Sequence, residues 1–294
     1  MGKVAFVFSG QGDQFPGMGQ KLPRNVFDLC DRIRPGTSRQ CFEGTQEELK
    51  QTDNTQPCLY AVELAGVNAL ENRGIHPDAV AGFSLGEIAA AACAGLYDLE
   101  TGFRLVTERG RLMQAAAEAR PTAMAAVLKL SNAQVEALCA SHPGLYPVNY
   151  NCPGQVTVSG LADELPGFLA EVKAAGGRAI PLKVAGAFHS PYMEEAAAEF
   201  GRLLDAVSFA KPRIPLYSDL TAQVYGDDPR MLLAKQICSP VRWETLVENM
   251  IADGVDTFIE VGPGRTLTNL IRKINPGVTA LTLNEKLEEA NVNG

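Results

Sequence analysis

The 294-residue chain has few of the features that mark metal, redox, membrane and nucleic-acid proteins. Its seven cysteines, Cys30, Cys41, Cys58, Cys93, Cys139, Cys152 and Cys238, are odd in number and contain no C-x-x-C pair. Zinc motifs, dithiol redox motifs and a disulfide framework therefore lack support, and free, mostly buried thiols in a reducing compartment are the expectation. No apolar run is long enough for a membrane span: the most apolar stretch, residues 88–96, is broken by Gly95 and falls well short of about 20 residues. Residues 2–8 are too short for a signal-peptide core, and no small-residue cleavage site follows, so a cytoplasmic enzyme that does not act at a membrane is expected. Positive charge is not in excess. A net charge of −8 opposes nucleic-acid binding, which needs a basic surface against phosphates, but is compatible with a local basic patch for an acidic partner. Internal repeats and low-complexity segments are missing as well.

The composition that remains is globular. Hydrophobic residues make up 46% and charged residues 20%, enough apolar material for a sizeable core and too much for disorder. Residues 4–8 are a β-branched and aromatic run ended by glycine, and residues 79–82 are a second, so both read as buried strands. The alanine-rich stretch 85–94, with Glu87 in its first turn, and residues 101–119, halted before Pro121, read as helices. The pattern then changes. Residues 124–130 read as a strand, Ser131 and Asn132 as the cap of a helix reaching about 142, and 146–150 and 155–159 as strands joined by the turn Asn151-Cys152-Pro153-Gly154. A helix over 164–175 and a strand over 179–184 complete the order βαββαβ. Further on, helices are expected over 191–207 and 241–253, short strands over 215–218 and 257–261, and a frayed tail over 288–294. The expected fold is α/β: a hydrolase-like large subdomain with a mostly parallel sheet (1–121 and 188–294), plus an inserted ferredoxin-like small subdomain (122–187).

One motif in the large part carries chemistry. Gly82-Phe83-Ser84-Leu85-Gly86 matches G-x-S-x-G. An ordinary βα turn with a serine cap could share those letters, but the strand before and the helix after match a nucleophile elbow, which lifts the hydroxyl over a helix N-terminus. A serine at its free pKa needs a base, and the chain has three histidines. His76 and His142 each precede proline and are biased toward extended turns. His189 lies where the chain re-enters the large subdomain and follows the serine, the chain order of G-x-S-x-G hydrolases. A satisfied structural histidine is the alternative. No acid stands out as the group that orients the base, and a backbone carbonyl could serve instead.

Several segments together resemble one family. Phe6-Val7-Phe8-Ser9-Gly10-Gln11-Gly12-Asp13-Gln14 is similar to an F-P-G-Q-G-S-Q opening, Asn54-Thr55-Gln56-Pro57 to a T-Q-P element, and Gly82-Phe83-Ser84-Leu85-Gly86-Glu87 to a G-H-S-L-G-E elbow. Glu108-Arg109-Gly110-Arg111-Leu112-Met113-Gln114 resembles an R-G-x-x-M-Q helix, residues 149–160 an N-x-N-x-P-G-Q segment, and Glu260-Val261-Gly262-Pro263-Gly264 an E-V-G-P-G signature. These belong to the acyltransferases of fatty-acid and polyketide synthesis, especially the free-standing malonyl-CoA:acyl carrier protein transacylases. The resemblance runs in order over nearly the whole chain.

What the resemblance implies is specific. Ser84 is acylated with His189 as its base, and Gln11 and the backbone N–H of Leu85 form the oxyanion hole. Arg109 holds the free carboxylate of a malonyl group, with Arg111 its rival on another helix face. Phe83, Phe188 and Met113 join Arg109 as substrate-binding residues. The base is oriented by a main-chain carbonyl near the E-V-G-P-G strand, for which Asp253 is the candidate. The implied reaction moves malonyl from malonyl-CoA to the phosphopantetheine thiol of acyl carrier protein, with no metal and no bound cofactor. The alternatives are an acyl hydrolase or a stand-alone polyketide acyltransferase acting on carrier-bound acyl groups. Phe83 departs from the elbow histidine of the family, and Ser9 and Asp13 from its proline and serine. Ala187-Phe188-His189 is similar to the A-F-H of malonyl-selecting domains, where a phenyl ring crowds an α-methyl group by about 1–3 kcal/mol.

Overall fold

The computed structural model describes residues 2–182 and 186–293. Two sheets organise it. The larger is five-stranded and wholly parallel, built from β1 (Lys3–Phe8), β2 (Ala79–Gly82), β7 (Leu216–Tyr217), β8 (Val255–Val261) and β9 (Thr279–Thr282) in the order β7-β2-β1-β8-β9. The smaller is antiparallel, with β3 (Thr122–Leu128), β4 (Leu145–Cys152), β5 (Gln155–Leu161) and β6 (Arg178–Pro181) in the order β4-β5-β3-β6. The α/β class with a ferredoxin-like insertion is what the sequence indicated.

Period-two alternation explains how the parallel sheet is covered on both faces. In β1, Phe6 and Phe8 belong to one core cluster, with α4 (Thr52–Glu71), α5 (Gly86–Ala94) and α6 (Leu99–Glu118). Ala5 and Val7 belong to the other, with α11 (Trp243–Ala252) and α12 (Thr266–Ile274). Helices α1 (Arg24–Ile33), α2 (Thr37–Glu43) and α3 (Gln46–Lys50) precede α4. They fill a stretch in which the sequence pattern had given no elements. In the small sheet, α7 (Asn132–Ala140) starts at Ser131, whose side chain and that of Gln134 form a capping box, and α8 (Leu165–Ala174) follows β5. The remaining helices are α9 (Glu194–Leu204), α10 (Pro229–Lys235) and α13 (Leu283–Asn293). Among the described residues no helix is long and apolar enough to cross a membrane.

Several expected boundaries shift. The strand expected over 124–130 starts two residues earlier and stops at Leu128, because Lys129 turns with φ +69°. The strand expected over 179–184 is β6, Arg178–Pro181; residues 183–184 lie outside the described ones. The helix expected from 191 opens with a 3₁₀ turn, Pro191–Met193. The helix expected from 241 starts at Trp243, since Val241 is used otherwise: its backbone exchanges hydrogen bonds with Val148 and Tyr150 and joins the edge of the small sheet to the large part. Of the frayed tail expected over 288–294, residue 294 lies outside the described ones, and residues 288–293 are instead part of helix α13. A Thr282–Glu285 pair of reciprocal side-chain and backbone bonds starts it, and Arg73 holds Asn291 at 3.3 Å.

The C-terminal ends of β1, β2 and β8 lie side by side, with Phe8 opposite both Gly82 and Val261. The loops leaving them carry Gln11, Ser84 and Gly262, and a crevice outside the carboxyl ends of parallel strands is where such sheets hold ligands.

Candidate active site

Ser84 sits on the turn between β2 and α5 with φ +54°, a left-handed conformation uncommon for a residue with a side chain. The flanking glycines follow from sterics. A Cβ on Gly82 would lie 2.0 Å from the Glu87 nitrogen, and one on Gly86 would lie 2.3 Å from the carbonyl oxygen of Phe8. Both obstacles are backbone, so the tight turn against β1 requires G-x-S-x-G. The Phe83 N–H donates to the Phe8 carbonyl at 3.0 Å, which ties the turn to the central strand. Among the described residues the Leu85 N–H, at the start of α5, has no acceptor.

His189, also at positive φ (+62°), is 4% exposed. Its Nε2 lies 2.7 Å from Ser84 Oγ and its Nδ1 lies 2.8 Å from the carbonyl oxygen of Gln236. A carbonyl only accepts, so Nδ1 carries the proton and Nε2 is free to accept from the serine. Burial, and then the charge of Arg109, push the His189 pKa down to about 4, which keeps the ring neutral. The sequence pointed to a backbone carbonyl as orienting group, and one does orient the ring, but not near the E-V-G-P-G strand. Asp253 precedes the N-terminal end of β8, and that seven-residue strand spans roughly 20 Å. There Asp253 accepts from the Tyr217 hydroxyl. The other two histidines stay away from Ser84: His76 is exposed, and His142 lies between Glu164 and Glu171, edge-on to Phe168.

Arg109 is fully buried on the inner face of α6. Its Nη2 lies 3.1 Å from Ser84 Oγ and 2.5 Å from Gln236 Oε1, its Nη1 donates to Gln56 Oε1 at 2.9 Å, and its Nε has no partner. All three acceptors are neutral. No carboxylate among the described residues lies within ion-pair distance, and burial lowers the guanidinium pKa to about 10, with Asp219 and Glu87 opposing from farther off. Arg111, the rival, pairs with Glu108 at 2.9 Å on the exposed face of the same helix.

The other sequence-predicted residues take these places. Gln11, on the loop after β1, donates Nε2 to Thr52 Oγ1 at 3.2 Å, and among the described residues its second amide hydrogen has no acceptor. The Phe83 ring stacks obliquely on Trp243 (centroids 5.6 Å apart), and a Cβ on Gly10 would touch it at 2.9 Å. Phe188 is 7% exposed, and its carbonyl accepts from Ser159. Met113 is buried, with its Sδ 3.4 Å from Gln56 Nε2, so it backs the glutamine that holds Arg109. Gln236 was missed from sequence. Its side chain binds Arg109 and the Ser84 carbonyl while its main chain binds His189, but its position in the chain, after α10, carries no motif. Gln56 was visible only as a letter of the T-Q-P element.

This arrangement can deprotonate Ser84, surround an oxyanion with N–H donors, and hold an anionic group next to the nucleophile. Comparison with known proteins bears on which reaction uses it. The family model described as "Acyl transferase domain" matches residues 5–281. A malonyl CoA-acyl carrier protein transacylase of Bacillus subtilis strain 168 is 38% identical over 300 residues, covering 97% of this chain and 94% of the relative. A polyketide biosynthesis malonyl CoA-acyl carrier protein transacylase of the same strain is 37% identical, covering 95% and 99%. A solved structure of a malonyl-transacylase in complex with its type II polyketide acyl-carrier protein superposes with a TM-score of 0.94 at 32% identity, covering 99% and 100%.

Proposed function

The chain belongs to the acyl transferase domain family, and from that premise we propose that it transfers a malonyl group from malonyl-CoA to the phosphopantetheine thiol of acyl carrier protein through a covalent acyl-Ser84. The observation that carries this reading is Arg109. A fully buried cation with no carboxylate partner among the described residues, one Nη 3.1 Å from the nucleophile's oxygen, is costly to keep. A substrate with a free carboxylate near its reacting carbonyl supplies the missing partner.

In the first half-reaction His189 Nε2 takes the Ser84 proton as Oγ attacks the thioester carbonyl. The negative oxygen of the tetrahedral intermediate is held by the Leu85 N–H and Gln11 Nε2, each such donor contributing about 3 kcal/mol. The carbon–sulfur bond breaks, the imidazolium returns its proton to the departing CoA thiolate, and malonyl stays on Ser84. In the second half-reaction His189 deprotonates the carrier's thiol, whose sulfur attacks the ester carbonyl, and Ser84 Oγ leaves with the proton. The Gln236 carbonyl keeps Nδ1–H in place throughout. Phe83, packed on Trp243, and Phe188, beside the base, supply apolar walls. The partners are malonyl-CoA and acyl carrier protein, in the cytoplasm.

The deciding experiment is intact-mass detection of the enzyme after mixing with malonyl-, methylmalonyl- or acetyl-CoA, followed by addition of phosphopantetheinylated carrier protein. A malonyl adduct that forms first and then passes to the carrier is expected. An adduct that is only lost to water would favour a hydrolase.

A further inference from the structure

Beneath the turn that carries Ser84 lies a pair of buried carboxyl groups with no part in the transfer just described. Asp219, on the loop after β7, is 1% exposed, and Glu87, in the first turn of α5, is fully buried. The backbone N–H of Ser84 donates to Asp219 Oδ2 at 2.7 Å. The two acids are joined, since the Asp219 backbone N–H donates to Glu87 Oε2 at 3.0 Å.

Their surroundings differ. Glu87 receives the Asp219 N–H, Gln236 Nε2 at 3.2 Å and the Tyr225 hydroxyl, a set of donors that suits a carboxylate. Among the described residues Asp219 receives the Ser84 N–H alone, and its buried Oδ1 has no donor. An ionised Asp219 would leave that oxygen bare beside a second anion, which is expensive. A proton on Asp219 removes that second charge.

We propose that Asp219 is a positioning residue that works in its protonated form: Oδ2 holds the Ser84 backbone in its left-handed conformation, and the Asp219–Glu87 pair carries a single negative charge. Burial first, and then the charge of Glu87, raise the Asp219 pKa well above the carboxylate range, in keeping with this. The titratable groups around Asp219 are Glu87 from α5, Arg109 from α6 and the phenol of Tyr225, with Tyr97 facing Glu87 from before α6 and His189 beyond Arg109. One charge in the pair balances Arg109 at a distance. A second would oppose both the incoming carboxylate and the oxyanion.

The test rests on Ser84 being the nucleophile and uses two reagents. Malonyl-CoA needs Arg109; a fluorophosphonate, which phosphonylates an activated serine and loses fluoride, does not. With either reagent, Asp219→Ala is expected to slow Ser84 modification by about 30–100-fold, the scale of a misplaced reacting group. Asp219→Asn is expected to recover at least about tenfold of that loss, because the amide oxygen accepts from the Ser84 N–H and the amide N–H donates to Glu87. In the pH profile of malonyl loading, the alkaline decline of the wild type should move up or vanish in Asp219→Asn. The inference is overturned if Asn rescues nothing, if wild type and Asn share the same alkaline limb, or if Ala loads like wild type. Should Asp219→Ala fail to fold, the Asn variant's pH profile decides alone. A wild type labelled by fluorophosphonate but not by malonyl-CoA refutes the malonyl reading, and the fluorophosphonate rates of the two variants still judge Asp219. A wild type labelled by neither refutes the nucleophile reading and this inference with it.

Discussion

Arg109 Nη2 touches Ser84 Oγ at 3.1 Å, on the same oxygen that His189 Nε2 meets at 2.7 Å. The cation proposed to read a free carboxylate and the histidine proposed as base therefore share one hydroxyl. A carboxylate that draws the guanidinium toward itself releases that hydroxyl to the base and neutralises the charge that depresses the base.

Arg109→Ala is expected to cripple malonyl-CoA use, because the substrate carboxylate is left buried and unpaired at a cost of about 3–5 kcal/mol. Acetyl-CoA, which has no such charge, should lose less or gain. The ratio of the two kcat/KM values is the measurement. An equal loss for both substrates would make Arg109 structural.

Ser84→Ala should remove the acyl adduct from the intact mass, and a persisting mass shift would move the nucleophile elsewhere. His189→Ala should slow single-turnover loading by about 10²–10⁴-fold, the usual contribution of a positioned base. Near-normal loading in that variant would return the role to solvent or another group.

The acid limb of kcat/KM, which reports the free enzyme, should fall near pH 4 instead of near 6.5, because His189 must be neutral to accept a proton and its pKa is pushed down to about 4. The limb of kcat for malonyl-CoA should lie higher, since a bound carboxylate cancels the Arg109 charge; with acetyl-CoA the two limbs should coincide. The sign for stability follows from the same shift. A depressed histidine pKa favours the native state fully above about 6.5 and loses that contribution as pH falls toward about 4, so thermal melting of the wild type should decline over that window more than that of His189→Gln.

Gly86→Ala should destabilise the fold, since its Cβ would lie 2.3 Å from a central-strand carbonyl that cannot yield. Overpacking of this kind costs about 1–3 kcal/mol or more, read as a lower melting temperature together with lost loading. Gly226→Ala, where a Cβ meets nothing within 4 Å, is the matched control and should stay within about 0.5 kcal/mol of wild type. Equal melting temperatures would show that the elbow tolerates a side chain.

The sequence by itself determined what depends on neighbours in the chain. Gly82, where a Cβ would meet the backbone of Gly86 and Glu87, the strand before Ser84 and the helix after it are set by local sterics, and the βαββαβ order of the insertion by alternation and turns. Tertiary structure decided what depends on partners far apart in sequence. Residues 52–71 gave no pattern because α4 is buried almost all round, so its letters show no polar face and no period. Residues 288–294 read as a tail because α13 is held in part by groups far off in sequence, among them Arg73, 218 positions from Asn291. The choice of Arg109 over Arg111 rested on resemblance until α6 was seen to bury one and expose the other. Gln236 and Asp219 carry no local signal at all: a carbonyl bonded to the His189 ring and a carboxyl bonded to the Ser84 N–H depend on where the backbone passes, and folding alone brings positions 84, 189, 219 and 236 together.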